Sequence, residues 1–152
     1  MSTTTTMAEL PGLTGQELGT SDWFEVTQES VNLFADATGD HQWIHVDVER
    51  AKAESPFGGP IAHGYLTLSL IIPMYSEVLV VSDAKMGVNY GLNKVRFPAP
   101  VPVGSKVRAR VTLKDVEEVK GNGVQMQLAF TVEIEGSAKP ACVAEAVYRH
   151  YA

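Results

Sequence analysis

The apolar stretch from Tyr65 to Val80 restricts the folds open to this chain more than any other feature. It is apolar on nearly every side, so the pattern predicts a buried helix and not an amphipathic surface helix. Pro73 lacks a backbone donor and its ring collides with the preceding turn, so the helix should kink or divide there. Pro73 and Glu77 also interrupt the run Leu66–Val81, and no run reaches the roughly 18 residues of a bilayer span. A buried helix needs apolar cover, and the second half of the chain supplies it. Lys106–Lys114 and Val124–Glu135 alternate polar and apolar residues with period two, as half-buried strands do. Lys120-Gly121-Asn122-Gly123 reads as the hairpin between them. Met86–Phe97, closed by Pro98-Ala-Pro100-Val-Pro102, and a segment from Pro140 to Tyr151 add two more strands. Helices first and about four antiparallel strands after them make an α+β domain.

The first half reads as shorter helices. Thr27 is a candidate N-cap for a helix that Gly39 ends, and Asp47 for one through Val48–Ala53 that stops before Ser55-Pro56. The polar start predicts a flexible segment over residues 1–10 and one domain over 11–152. It carries neither the basic start nor the apolar run of a signal peptide. The one cysteine, Cys142, lies between Ala141 and Val143 as a buried strand thiol and fits a reducing cytoplasm. A net charge of −6 argues against nucleic acid as a partner. Even so, six of the twelve basic residues cluster between Lys94 and Lys114.

Two Gly-bounded breaks carry the candidate chemistry. Asp40 and His45 come after the first, at Gly39, and can hold one water between an acceptor and a group that titrates near neutrality. They can equally be a turn cap and an ordinary loop histidine. The second, Gly58–Gly64, opens the long helix, whose unpaired N–H groups are what an oxyanion hole requires. Gly64 would let a carbonyl approach, or would serve only to turn the chain. His63 reads as structural or as an auxiliary contact. His41, His45 and His63 are a conceivable metal set, but the chain has no His-Glu-x-x-His pattern, nucleophile elbow, P-loop or dinucleotide fingerprint.

The run Phe34-Ala-Asp-Ala-Thr-Gly-Asp40-His-Gln-Trp-Ile-His45-Val-Asp-Val-Glu-Arg-Ala51 resembles the signature of (R)-specific enoyl-CoA hydratases, the MaoC-like branch of the hot-dog superfamily. The resemblance continues through Pro60-Ile-Ala-His63-Gly64 and Lys94-Val-Arg96-Phe97-Pro98-Ala-Pro-Val-Pro-Val-Gly104. It implies a single hot-dog domain, with the long helix wrapped by a curved antiparallel sheet. It further implies a homodimer, Asp40 and His45 as the catalytic pair, and the Gly64 amide as oxyanion donor. The chain departs from the family pattern at Gln42-Trp43, where Asn-Pro is usual. Gln42 can keep a polar contact, whereas Trp43 loses the fixed φ of proline.

The activity implied is reversible hydration of trans-2-enoyl-CoA to (3R)-3-hydroxyacyl-CoA in fatty acid metabolism, with no metal or redox cofactor. Lys94, Arg96, Arg108 and Arg110 are candidates for the coenzyme A phosphates, since guanidinium forks and ammonium groups suit phosphate oxygens. The alternatives are a (3R)-hydroxyacyl-carrier-protein dehydratase of fatty-acid synthesis, a hot-dog thioesterase, and a non-catalytic acyl-CoA-binding subunit.

Overall fold

The structure is a computed structural model that describes residues 2–152. In chain order the elements are β1 (Thr3–Thr5), a 3-10 turn (Leu10–Leu13), β2 (Glu17–Thr20), β3 (Phe24–Glu25), α1 (Gln28–Thr38), α2 (Trp43–Val46) and α3 (Val48–Glu54). Next come α4 (Gly64–Ser69), α5 (Ile71–Val78), β4 (Leu79–Val81), β5 (Met86–Arg96), β6 (Lys106–Val119), β7 (Gly123–Ile134) and β8 (Cys142–Tyr151). Six strands form one antiparallel sheet in the order β2-β6-β7-β8-β5, with β3 also pairing β6. It covers α4 and α5 on one side, the α+β hot-dog arrangement expected.

Strand periodicity builds the core. Val107, Ala109, Val111 and Leu113 of β6 point inward, as do Val124, Met126, Leu128, Phe130, Val132 and Ile134 of β7. Leu66, Ile71, Met74, Tyr75 and Val78 descend from the helices onto them. Each Val, Leu, Ile, Met or Phe among them contributes roughly 1.5–3 kcal/mol by leaving water. The hairpin from β6 to β7 turns where expected, with Gly121 at φ 87 and Asn122 at φ 59.

The central helix divides, and Pro73 explains where. In an unbroken helix the carbonyl of Ser69 would accept from residue 73, which has no N–H. α4 therefore stops at Ser69, and the ladder resumes with the Met74 N–H donating to Leu70 O at 3.2 Å. The helix is not buried all round, since one sheet covers one side and leaves Tyr65 71% and Ile72 41% exposed.

The N-terminus corrects the expectation of a flexible segment over residues 1–10, of which Met1 lies outside the described residues. Thr3–Thr5 pair in parallel with Leu79–Val81, the Met7 N–H donates to Asp83 Oδ1 at 2.9 Å, and Leu10 is fully buried. Threonine is polar but β-branched, so it suits a strand wherever another strand offers its edge.

Candidate active site

α1 runs as its caps dictate. The Ser30 N–H donates to Thr27 Oγ1 at 3.1 Å, and Gly39 ends the helix at φ 83. The chain then turns at Asp40, whose Oδ1 accepts from the Gln42 N–H at 3.3 Å. His45 stands not in a loop but on the single turn α2, which runs into α3, where Asp47 accepts from the Arg50 N–H at 3.1 Å.

One backbone bond ties α2 to the strip 60–62, and two more tie that strip to residues 101–103. The Ile61 N–H donates to Ile44 O at 3.0 Å, the Ala62 N–H to Val101 O at 2.8 Å, and the Val103 N–H to Pro60 O at 2.9 Å. The strip 60–62 thus lies between α2 and the chain after β5. From that strip the Ile61 carbonyl accepts from His45 Nδ1 at 2.6 Å, while the Gln28 side chain of α1 donates to His45 O at 2.8 Å. A carbonyl partner requires the proton on Nδ1, so Nε2 keeps its lone pair. Burial pushes the His45 pKa below its ordinary value and nearby His63 adds to this, against the Ile61 carbonyl and Asp40. His45 is therefore a neutral imidazole at pH 7.

His63 joins the group from the other side. It is 2% exposed, its ring stacks on His45 at 4.0 Å between centroids, and its Nε2 donates to the Asp40 carbonyl at 2.9 Å. One ligand-capable atom from each of Asp40, His45 and His63 lies within 4.8 Å of the other two. Such a span takes one water between two legs of about 2.8 Å. It fits a shared metal ion less well, because His63 Nε2 is already committed to the Asp40 carbonyl at 2.9 Å and His45 Nδ1 to the Ile61 carbonyl at 2.6 Å. Zinc would need both nitrogens aimed at one point from about 2.0–2.1 Å. His41, grouped with these histidines by sequence, instead pairs with Asp36 at 3.0 Å on the surface.

A cleft of about 320 Å³ opens beside His45, lined also by Gly64, Thr67, Phe97, Val101 and Ala141 among others; Asp40 is not in its wall. Gly64 begins α4, and the His63 carbonyl accepts from the Leu66 and Thr67 N–H groups, which leaves the Gly64 N–H for a ligand. The Phe97 ring stands 3.5 Å from where a Cβ on Gly64 would sit. The arrangement offers a neutral base, a carboxylate, a backbone donor and an apolar wall.

The remaining candidates separate. Gln42 is exposed, and the hydrogen bond it makes to Asp40 comes from its backbone, while Trp43 packs under the Arg50 guanidinium at 4.2 Å. The four basic residues do not converge. Arg108 bonds Glu133 at 2.8 Å and lies over Trp23, and Arg110 is held by Glu17 at 2.7 Å and Glu133 at 3.0 Å. Both sit on β6, which β7 and β8 separate from Lys94 and Arg96 on β5. Burial pushes the Cys142 thiol up to about 11, so it is no nucleophile. The Ile61 carbonyl, Gln28, Thr67 and Phe97 escaped the sequence reading. The RFPAP segment containing Phe97 carried a signal, but the others matter through tertiary contact alone.

Comparisons with known proteins place the chain in a family. The family model described as a MaoC like domain matches residues 9–134. A 3-hydroxyacyl-thioester dehydratase Z from Mycobacterium tuberculosis is 57% identical over 152 residues, all of both chains. Nodulation protein N of Rhizobium meliloti is 49% identical, covering 91% of this chain and 86% of its own. The solved structure of an (R)-hydratase from A. caviae involved in PHA biosynthesis superposes with a TM-score of 0.71 at 26% identity, over 89% of this chain and 94% of that one. On the family match over residues 9–134 and the full-length identity to the Mycobacterium tuberculosis relative, this chain belongs to the MaoC-like dehydratase domain family.

Proposed function

We propose that this chain interconverts (3R)-3-hydroxyacyl and trans-2-enoyl thioesters, and that its working direction is dehydration. The observation carrying this reading is the 57% identity, over the full length of both chains, to a relative named a 3-hydroxyacyl-thioester dehydratase. It revises the expectation of a hydratase acting first on enoyl-CoA. In dehydration, one member of the Asp40–His45 pair removes the C2 proton. The Gly64 amide stabilises charge gathering on the thioester oxygen. The pair then passes that same proton to the C3 hydroxyl, the C3–O bond breaks, the C2–C3 double bond forms, and water leaves. Only protons and water move, so the reaction needs no redox cofactor.

Lys94 and Arg96 are the candidate contacts for the phosphates of the thioester carrier, because both are exposed and neither pairs with a carboxylate among the described residues. A second copy of the chain is the proposed partner. β5 ends the sheet as an 11-residue edge strand exposing Met86, Val88, Tyr90 and Leu92. So long and apolar an edge is normally covered. The test is turnover of 3-hydroxybutyryl and crotonyl thioesters of coenzyme A and of acyl carrier protein, monitored at the enoyl absorbance, with mass measured by light scattering. Absence of turnover on all four substrates, or release of free thiol instead, would refute the reading. A monomer in solution would refute the proposed dimer.

A further inference from the structure

We propose that His63 is the positioning residue of this site, and that its Nε2–H bond to the Asp40 carbonyl holds Asp40, His45 and the Gly64 amide together. The inference rests on the dehydratase reading. His63 touches each of the three parts. Its Nε2 donates to the backbone of Asp40 at 2.9 Å, its ring lies against His45 at 4.0 Å, and it is the residue immediately before Gly64. Its carbonyl accepts the Leu66 and Thr67 N–H groups at 3.1 Å each, so it also opens the helix that presents the Gly64 amide.

Among the described residues no other hydrogen bond ties Asp40 to α4. The carboxylate itself is exposed, and its turn is otherwise held by local bonds to Gln42 and Thr38. His63 is held firmly enough to act as a reference point. It is 2% exposed and sits between Phe34 of α1, at 4.8 Å, and His45 of α2. The bond to Asp40 requires the proton on Nε2, which leaves Nδ1 as a bare acceptor. That atom is buried without a partner. An unsatisfied buried nitrogen is normally unfavourable. Histidine here therefore carries a polar atom that packing does not need, and the bond from its other nitrogen accounts for the residue.

The test uses the purified full-length chain with His63→Gln, which can still donate to the Asp40 carbonyl, and His63→Phe, which keeps a ring against His45 but cannot donate. Loss of the anchor should lower kcat of the phenylalanine variant about 100-fold, the scale of a 1 Å misplacement, with KM little changed. The glutamine variant should recover most of that loss. Nitrogen-15 spectra of the His45 ring, taken without substrate, should show a fixed Nδ1–H form in the wild type and the glutamine variant, and an averaged one in the phenylalanine variant. Thermal melts confirm that each variant is folded; if phenylalanine does not fold, His63→Met replaces it under the same criteria. A donor-free variant with wild-type kcat would overturn the inference. So would a glutamine variant as slow as the donor-free one. If the wild type turns over no thioester, the functional reading fails, while the ring spectra still test the anchor.

Discussion

Replacing Asp40 with Asn separates chemistry from folding at this site. The side chain is exposed, and its one protein hydrogen bond is accepted from the Gln42 N–H at 3.3 Å. Asparagine keeps that acceptor, and the His63 bond reaches the Asp40 backbone, which the change does not touch. Stability should stay within about 0.5 kcal/mol of the wild type, as for an ordinary surface substitution. What asparagine lacks is the negative charge and the capacity to take a proton. Removing a general acid or base costs about 10²–10⁴ in rate, or roughly 2.7–5.4 kcal/mol of barrier at 1.36 kcal/mol per decade. His45→Gln should lose a similar amount. If the two residues act on one water, the double variant should be little worse than the slower single one, as members of a catalytic unit behave. The assay is steady-state turnover of a crotonyl thioester with a thermal melt on each protein. A folded Asp40→Asn variant with near-wild-type kcat/KM would refute the assignment. Fully additive losses in the double variant would refute the shared water.

Gly64→Ala should fold normally, since the added methyl meets only the Phe97 ring at 3.5 Å; it should still depress kcat/KM by crowding the carbonyl's approach, and unchanged kinetics would remove Gly64 from the site. The buried His45 and the half-buried His150 have folded pKa values below 6.5. The unfolded chain therefore binds more protons as pH falls through 6.5, so stability is fully present above that value and declines beneath it. Melting temperatures at pH 7.5 and 5.5 check the sign, and a higher value at pH 5.5 would contradict it. Tyr148→Phe deletes a buried hydroxyl without a partner while keeping the ring 5.1 Å from Tyr75; it should stabilise by about 1–3 kcal/mol in a denaturant titration, and a loss would mean that the hydroxyl is satisfied. Phe130→Ala, at the fully buried centre of β7, should cost about 3–5 kcal/mol in the same titration.

Local signals made much of this protein legible from its residues. Thr27 and Gly39 bound α1 as expected, Asp47 caps α3, and the alternating runs became β6 and β7 around the Lys120–Gly123 turn. Each signal works within a few residues, through a cap, a forbidden φ or a two-residue period, and so survives without knowledge of the rest of the chain. Asp40, His45 and Gly64 were legible as residue types beside glycine breaks.

Their meeting was not legible, because it depends on bonds between segments far apart in the chain. His45 is aimed by the carbonyl of Ile61, 16 residues on, and Asp40 is reached by His63, 23 residues on. Neither carbonyl role leaves a mark in residue type, since every residue carries a carbonyl. The same reason separates the basic residues, which are close in sequence but lie on β5 and β6, with two strands between them. It also orders the N-terminus, whose threonines look polar until β4 offers them an edge. Capping and periodicity alone thus determined the elements and the chemical groups. Packing of the strip 60–62 between α2 and residues 101–103 decided that those groups form one site.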